Sequence, residues 1–153
     1  MLDVAPVKIA LAILLLTASC YAAERIDADY NFDGHQDYAI LRERNGKQHY
    51  WDVYLFDPVT GKYVLHDQLS HLANPQPDAA SKEIRCIYPG GHSGALFGRE
   101  DYKWEGNHLV YVRSVAQTTL DLKDGKTHYV RLTFTLEDGK PIMQSVEAVT
   151  PGE

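Results

Sequence analysis

Cysteine is scarce in this 153-residue sequence, which contains only Cys20 and Cys86. Cys20 follows an apolar N-terminal segment, and removal of that segment leaves Cys86 without an intramolecular partner. A disulfide framework is therefore excluded as the source of stability. Cys86 lies in an alternating run with no activating base beside it, which predicts a strand residue rather than a nucleophile.

The sequence also lacks a basic cluster and an apolar run long enough to span a bilayer. Its net charge of −6 excludes nucleic acid and anionic membrane surfaces as the main class of partner. An apolar segment of about ten residues follows Lys8 and ends in small residues, which predicts a signal peptide over residues 1–23. Only the acidic Asp3 is atypical of such a leader.

The end of this leader has two interpretations. Leu16-Thr17-Ala18-Ser19-Cys20 resembles a bacterial lipobox, in which Cys20 becomes the lipidated first residue. The small residues up to Ala23 instead suit ordinary cleavage. Both interpretations predict a periplasmic protein, either soluble or anchored by a lipid.

Signatures of catalysis are missing as well. The sequence contains no Gly-x-Ser-x-Gly and no His-Glu-x-x-His, and its seven histidines lack zinc-ligand spacing. His92 and Ser93 are adjacent, but neighbouring side chains of an extended chain point apart, so His92 is badly placed to deprotonate Ser93. We therefore expect a binding protein and not an enzyme.

No long helical period appears after the leader. Asn45-Gly46, Gly106-Asn107 and Asp124-Gly125 mark hairpins between runs rich in β-branched and aromatic residues. We predict a single all-β domain over residues 24–153, built as a sandwich- or propeller-like set of antiparallel hairpins with at most one short helix. Asp67 is expected to cap that helix, which extends to about Ala73.

Three further expectations concern the middle of the chain. The proline-containing segment Asn74–Asp78 is expected to end the short helix. The segment Pro89–Gly94 is too glycine-rich for regular structure and is expected to form a loop. His108 to Gln117 and Thr118 to Lys123 are expected as two separate strands.

The strongest positive signal is the stretch Asp29-Tyr30-Asn31-Phe32-Asp33-Gly34-His35-Gln36-Asp37. Oxygen-bearing side chains occupy its first, third, fifth and ninth positions, and a glycine that tolerates positive φ occupies the sixth. We predict a calcium site whose ligands are Asp29, Asn31, Asp33, Asp37 and the backbone carbonyl of His35.

This loop differs from an EF-hand because its twelfth position is Ile40 rather than glutamate. The residues that follow Asp37 are apolar and indicate a strand, so the loop resembles the calcium loops of FG-GAP-type repeats. The alternative interpretation is an ordinary surface turn, since Asp, Asn and Gly are common turn formers.

Three stretches together resemble a known family. They are the acidic loop with Tyr38-Ala39-Ile40, the run from Tyr50 to Tyr63 with Phe56-Asp57-Pro58 and Gly61-Lys62, and Gly91-His92-Ser93-Gly94 with Gly98-Arg99-Glu100-x-Tyr102-x-Trp104. In this order they resemble small exported bacterial proteins related to the immunity lipoprotein of a type IV killing system. That lipoprotein neutralises a lysozyme-like peptidoglycan hydrolase in the periplasm.

The resemblance implies an all-β, calcium-binding inhibitor whose partner is a peptidoglycan hydrolase. Periplasmic lysozyme inhibitors use a Ser-Gly-x-x-Tyr loop, whose Ser and Tyr reach catalytic carboxylates. Here Ser93-Gly94 begins such a loop, but Phe97 ends it, so one hydroxyl is missing. We name His92, Ser93, Gly94 and Arg99 as candidate partner-binding residues, because they offer hydrogen-bond donors to carboxylates.

Two alternatives remain open on the residues themselves. Pro89–Gly94 is a flexible connection if it makes no ordered contacts. A calcium-stabilised carbohydrate-binding or structural module of the envelope is the other function class. Its sugar platform would be an exposed row formed by Tyr50, Trp51, Tyr54, Tyr102 and Trp104.

Overall fold

The strand-forming segments pair into two antiparallel sheets in the computed structural model, which describes residues 23–121 and 123–150. The predicted leader and the lipidation at Cys20 concern residues 1–22, outside the described part, with Ala23 alone inside it. The first sheet follows chain order: β1 (Arg25–Ala28), β2 (Asp37–Asn45), β3 (Gln48–Asp57) and β4 (Lys62–Leu65).

The second sheet also follows chain order. Its strands are β5 (Pro75–Asp78), β6 (Glu83–Pro89), β7 (Phe97–Glu105), β8 (His108–Asp121), β9 (Thr127–Glu137) and β10 (Lys140–Val149). A single-turn helix α1 (Asp67–His71) connects the two sheets, and a 3-10 turn covers His92–Gly94. The prediction of an all-β domain with one short helix is confirmed. Within residues 23–121 and 123–150, no helix has the length and apolarity that crossing a membrane requires.

One hydrophobic core serves both sheets. On β3, Trp51 and Val53 point inward at alternate positions, as the period of a strand requires. The core also contains buried residues from both sheets, from the acidic loop and from α1: Tyr30, Ala39, Leu69, Ile84, Cys86 and Leu109. Cys86 is a buried strand residue, and burial raises the pKa of its thiol to about 12, so it is protonated and unreactive at neutral pH.

Helix α1 joins the sheets through hydrogen bonds of its side chains. The hydroxyl of Ser70 accepts from the backbone N–H of Val53 on β3 (3.0 Å). The amide of Gln68 pairs with both backbone groups of Leu109 on β8, at 2.9 and 3.2 Å. These contacts fix α1 between the sheets and satisfy backbone groups that the core would otherwise leave unpaired.

Three elements differ from the sequence prediction. Asn74–Asp78 follows the end of α1 as predicted, but Pro75–Asp78 also form β5, a strand that had not been predicted. Pro75 and Pro77 lie at the edge of the sheet, where missing N–H donors are tolerated. β8 is one strand rather than two, because Ser114–Gln117 pairs with β7 on one side and with β9 on the other. β1 had not been predicted, and it pairs with β2 over Asp37–Ile40.

The helix begins differently from the prediction. The N-cap is His66 and not Asp67, and its Nδ1 accepts from the backbone N–H of Leu69 (3.3 Å). Partial burial lowers the pKa of His66 below its usual range. Protonation would place a hydrogen on the accepting nitrogen and remove this cap.

We expect this cap to make stability dependent on pH. The pKa of His66 is lower in the folded than in the unfolded protein. The stabilisation that the cap provides is therefore complete above the unfolded pKa of about 6.5 and is lost as the pH falls through the folded pKa. Denaturant unfolding at several pH values will show this step in the wild type. His66→Asn keeps a good N-cap without titrating, so the step should disappear.

The control for this measurement is His71→Asn, at the exposed end of the same helix. That variant should keep the step of the wild type. Identical pH profiles for wild type and His66→Asn would contradict the assignment.

Candidate functional site

The acidic loop between β1 and β2 curls around its own side-chain oxygens. The two carboxylate oxygens of Asp29 accept from the backbone N–H groups of Asp33 (3.2 Å) and Gly34 (2.9 Å). Asp33 accepts from the N–H of His35 (2.8 Å) and from the amide of Asn31 (2.8 Å). Gly34 has φ +88°, a conformation that side chains resist, so glycine is required at this turn.

Asp37 closes the loop from inside the protein. Its side chain is fully buried, and its two oxygens accept from the backbone N–H groups of Tyr30 and Phe56, both at 2.8 Å. Burial raises the pKa of Asp37, and the negative charges of Asp33 and Asp29 raise it further. The carboxylates of this loop therefore repel one another, and a cation between them would relieve that repulsion.

The donor set suits a hard cation. The side chains of Asp29, Asn31, Asp33 and Asp37 and the carbonyl of His35 offer only oxygen, the ligand that calcium prefers. Asp37 already accepts two hydrogen bonds, but each carboxylate oxygen keeps a further lone pair. Within the described ranges 23–121 and 123–150, no group of three or more His, Cys, Asp or Glu side chains is arranged as a metal site. Calcium binding therefore stays a prediction.

The segment after β6 forms an ordered turn and not an irregular connection. The carbonyl of Gly91 accepts from the N–H groups of Gly94 (3.2 Å) and Leu96 (3.3 Å). Gly90 donates to the carbonyl of Leu96 (2.8 Å) and accepts from the ammonium group of Lys47 (2.8 Å). The expectation that Pro89–Gly94 would lack regular structure is therefore corrected. Its glycines permit a tight turn that these hydrogen bonds hold in place.

The tip of this turn presents the predicted partner-binding residues. His92 and Ser93 have φ values of 52° and 55°, and Gly94 has φ +93°. His92 and Ser93 store backbone strain in this region, which is typical of functional turns, whereas Gly94 adopts it without strain. His92, Ser93 and Gly94 are exposed, and Nδ1 of His92 lies 3.4 Å from the hydroxyl of Tyr129 on β9.

Arg99 lies apart from the turn, within β7. Its Nε atom contacts Oδ1 of Asp101 (3.0 Å), and its side chain is 27% exposed. Asp101 is fully buried, and its other oxygen contacts Nε of Arg113 on β8 (2.7 Å). Arg99 was predicted as a partner-binding residue but this cluster was not, although the alternation Arg99-x-Asp101-x-Lys103 indicates one charged face of the strand.

The five aromatic residues named for a sugar platform do not form one exposed row, because three of them belong to the core. Trp51 is buried, and Trp104 packs on the core and donates to the carbonyl of Tyr30 (2.9 Å). Tyr102 packs against the same core and donates to Glu100 (2.9 Å). Of the five, Tyr54 instead joins an aromatic set on the outer face of the first sheet, whose members are Tyr38, Tyr54, Phe56 and Tyr63.

Comparison with known proteins supports the fold. No protein-family model matches the sequence, and no curated protein matches it. The chain is similar to a solved structure described as a Xanthomonas type IV secretion system related protein, with a TM-score of 0.58 and 20% identity. The likeness covers 79% of this chain and 57% of that one, so this chain spans little more than half of its neighbour. At this identity the likeness shows a shared fold.

The turn depends on a close approach of two backbone segments, which a pair of substitutions will test. A Cβ added at Gly90 would lie 2.5 Å from the carbonyl oxygen of Leu96, whereas one added at Gly91 meets nothing within 4 Å. We expect Gly90→Ala to lower the free energy of unfolding by about 1–3 kcal/mol, because the turn must open. Gly91→Ala should change it little. Equal stability of the two variants in denaturant unfolding would contradict this geometry.

Proposed function

We propose that this chain is an exported calcium-binding protein that inhibits a peptidoglycan hydrolase. The turn at Gly91–Gly94 is the inhibitory element, and the acidic loop Asp29–Asp37 is a structural calcium site. The observation that carries the proposal is the strained, exposed tip formed by His92, Ser93 and Gly94 on a rigid sheet. The fold shared with a type IV secretion system related protein is consistent with it.

The chemistry of the turn suits the active site of a muramidase. Such an enzyme places an acid of raised pKa beside a second carboxylate. The hydroxyl of Ser93, the imidazole of His92 and the backbone N–H of Ser93 are donors for those carboxylates. Phe97 supplies no hydroxyl, so binding relies on the tip rather than on the end of the loop.

Rigidity of the turn favours inhibition. A preformed loop loses little conformational entropy when it enters a partner, which increases affinity. Lys47 and Leu96 hold the base of the turn through Gly90. The catalytic carboxylates of the hydrolase would then be hydrogen-bonded to this turn, which the enzyme cannot cleave.

Calcium would have a structural role and no catalytic role. Bound by Asp29, Asn31, Asp33, Asp37 and the carbonyl of His35, the ion would neutralise the loop and fix the start of β2. Tyr30, inside this loop, accepts from Trp104 of the second sheet, so the loop also influences how the sheets pack.

We expect calcium to stabilise the protein. At a concentration about 100 times Kd, a ligand of the folded state adds about 2.7 kcal/mol, which should raise Tm by several degrees. Thermal unfolding with calcium and then with a chelator measures the effect. Asp29→Asn should abolish it, whereas Asp27→Asn, on β1 and paired with Arg25, should not. An equal response to magnesium would indicate charge screening rather than a calcium site.

Inhibition is tested by the clearance of peptidoglycan suspensions. The protein is added to a panel of muramidases, including any encoded beside its gene. We expect inhibition that depends on the dose of the protein. Ser93→Ala should weaken the inhibition about tenfold, because it removes one hydrogen bond to a charged group, worth about 1.4 kcal/mol. Ser81→Ala, at the opposite end of β6, is the control. Failure to inhibit any enzyme of the panel would overturn the proposed function.

The aromatic set on the first sheet favours a second candidate, a carbohydrate-binding module. Tyr38 stacks on Tyr54 with ring centroids 4.9 Å apart, and Tyr63 is 44% exposed. Such a surface offers flat apolar faces to a glycan. Sedimentation of the protein with insoluble peptidoglycan, together with absence of inhibition, would favour this candidate.

A further inference from the structure

A cavity of about 290 Å³ opens on the face of the second sheet that points away from the core. It spans the three neighbouring strands β7, β8 and β9. Its six lining residues include three arginines and no acidic residue: Phe97, Arg99, Arg113, Val115, Arg131 and Thr133. Three guanidinium groups thus surround one cavity of a chain whose net charge is −6.

Strand register explains how the arginines converge. Val115 pairs with Arg99 on one side and with Thr133 on the other, so it lies at the centre of the three strands. Arg113 precedes it by two residues on the same face, and Arg131 lies diagonally across on β9. Val115 is only 5% exposed although it faces away from the core, because the arginine side chains surround it. The cavity therefore has the apolar side chain of Val115 at its base and positively charged guanidinium groups around its sides.

Buried acceptors hold these arginines in position. Asp101, beneath the cavity, contacts Nε of Arg99 and Nε of Arg113, which leaves the Nη groups of Arg99 as donors for a ligand. Gln117 accepts from Nη2 (3.0 Å) and Nε (3.3 Å) of Arg131. Side chains fixed in this way lose little entropy when a ligand binds.

A second buried carboxylate, that of Glu83, also contacts the cluster. Glu83 contacts Arg113 (2.7 Å) and Lys103 (3.6 Å), and Glu147 on β10 is the register partner of Arg131. The cavity itself is lined by positive charge, so it is complementary to an anion.

We infer that this cavity binds a carboxylate carried on a small apolar group, either the free end of a peptide or a short free acid. A guanidinium group matches a carboxylate in a planar, two-point hydrogen bond. Phe97 and Val115 suit the apolar part, and the hydroxyl of Thr133 can donate to the second oxygen. The volume is at the low end for ligand sites, which limits the apolar part to a small group.

This inference does not depend on hydrolase inhibition. The turn at Gly91–Gly94 lies beside the cavity, since Gln117 also donates to the carbonyl of Ala95 (2.9 Å). A carboxylate in the cavity would therefore lie close to the base of the turn.

The test is an NMR titration of the full chain that follows the Nε–H signals of the arginines and the amide of Val115. Four probes are compared: N-acetyl-alanyl-alanine, its C-terminal amide, propionate and inorganic phosphate. We expect saturable shifts with the two carboxylic acids and none with the amide. Tighter binding of the peptide identifies a peptide end as the source, and equal binding identifies a short acid.

Variants distinguish binding in the cavity from nonspecific attraction of an anion to positive charge. Arg131→Gln and Arg99→Gln should each weaken binding at least tenfold. Arg25→Gln, on β1 of the first sheet, makes the same charge change and should have no effect. Because Arg99 contacts buried Asp101, Arg99→Lys is added; it keeps the charge but loses the planar fork, so binding should still weaken while the fold is retained.

Two outcomes would overturn the inference. Phosphate that binds as tightly as the acids would indicate an adventitious ion only. Equal affinity of the amide, or an unchanged affinity in Arg131→Gln with a native amide spectrum, would show that the guanidinium groups do not recognise a carboxylate.

Discussion

The buried carboxylate of Asp37 is the constraint on which the first half of the structure depends. A buried carboxylate is costly unless hydrogen bonds satisfy it, and here the N–H groups of Tyr30 and Phe56 do so. These bonds attach the acidic loop to β3. Tyr30 in turn accepts from Trp104, which attaches the same loop to the second sheet. The loop is thus positioned by the core, although its tip is exposed to solvent.

Local chemistry explains which parts of the fold were predictable. Hairpins at Asn45-Gly46 and Gly106-Asn107 follow from residues that accept positive φ, and the structure has turns at both. β5 and the unbroken β8 were not predictable in this way, because each depends on its neighbours in the sheet. The sequence of one segment does not show whether its prolines will lie at a sheet edge, where they are tolerated. Nor does it show that a long strand will pair with one neighbour in its first part and with another in its second.

The same distinction applies to the candidate sites. The acidic loop and the turn at Gly91–Gly94 are each contiguous in sequence, so short motifs and a family resemblance were enough to name their candidate residues. The arginine cavity draws side chains from three strands, and its shape depends on a register shift between Asp101 and Tyr102. Alternating charges on β7 indicated a polar face, but no pattern could reveal which residues of β8 and β9 lie opposite.

The two edges of the larger sheet differ in their protection against unwanted association. Pro75 and Pro77 occupy alternate positions of β5 and remove two N–H donors from one side of that edge. β10 ends the sheet on the other side. Pro141 and a register irregularity near Met143 interrupt only its first part, and Ile142, Met143 and Val146 are exposed. Growth into fibrils or swapped dimers, when it occurs, should therefore start from the part of β10 beyond Met143 and spare the β5 edge.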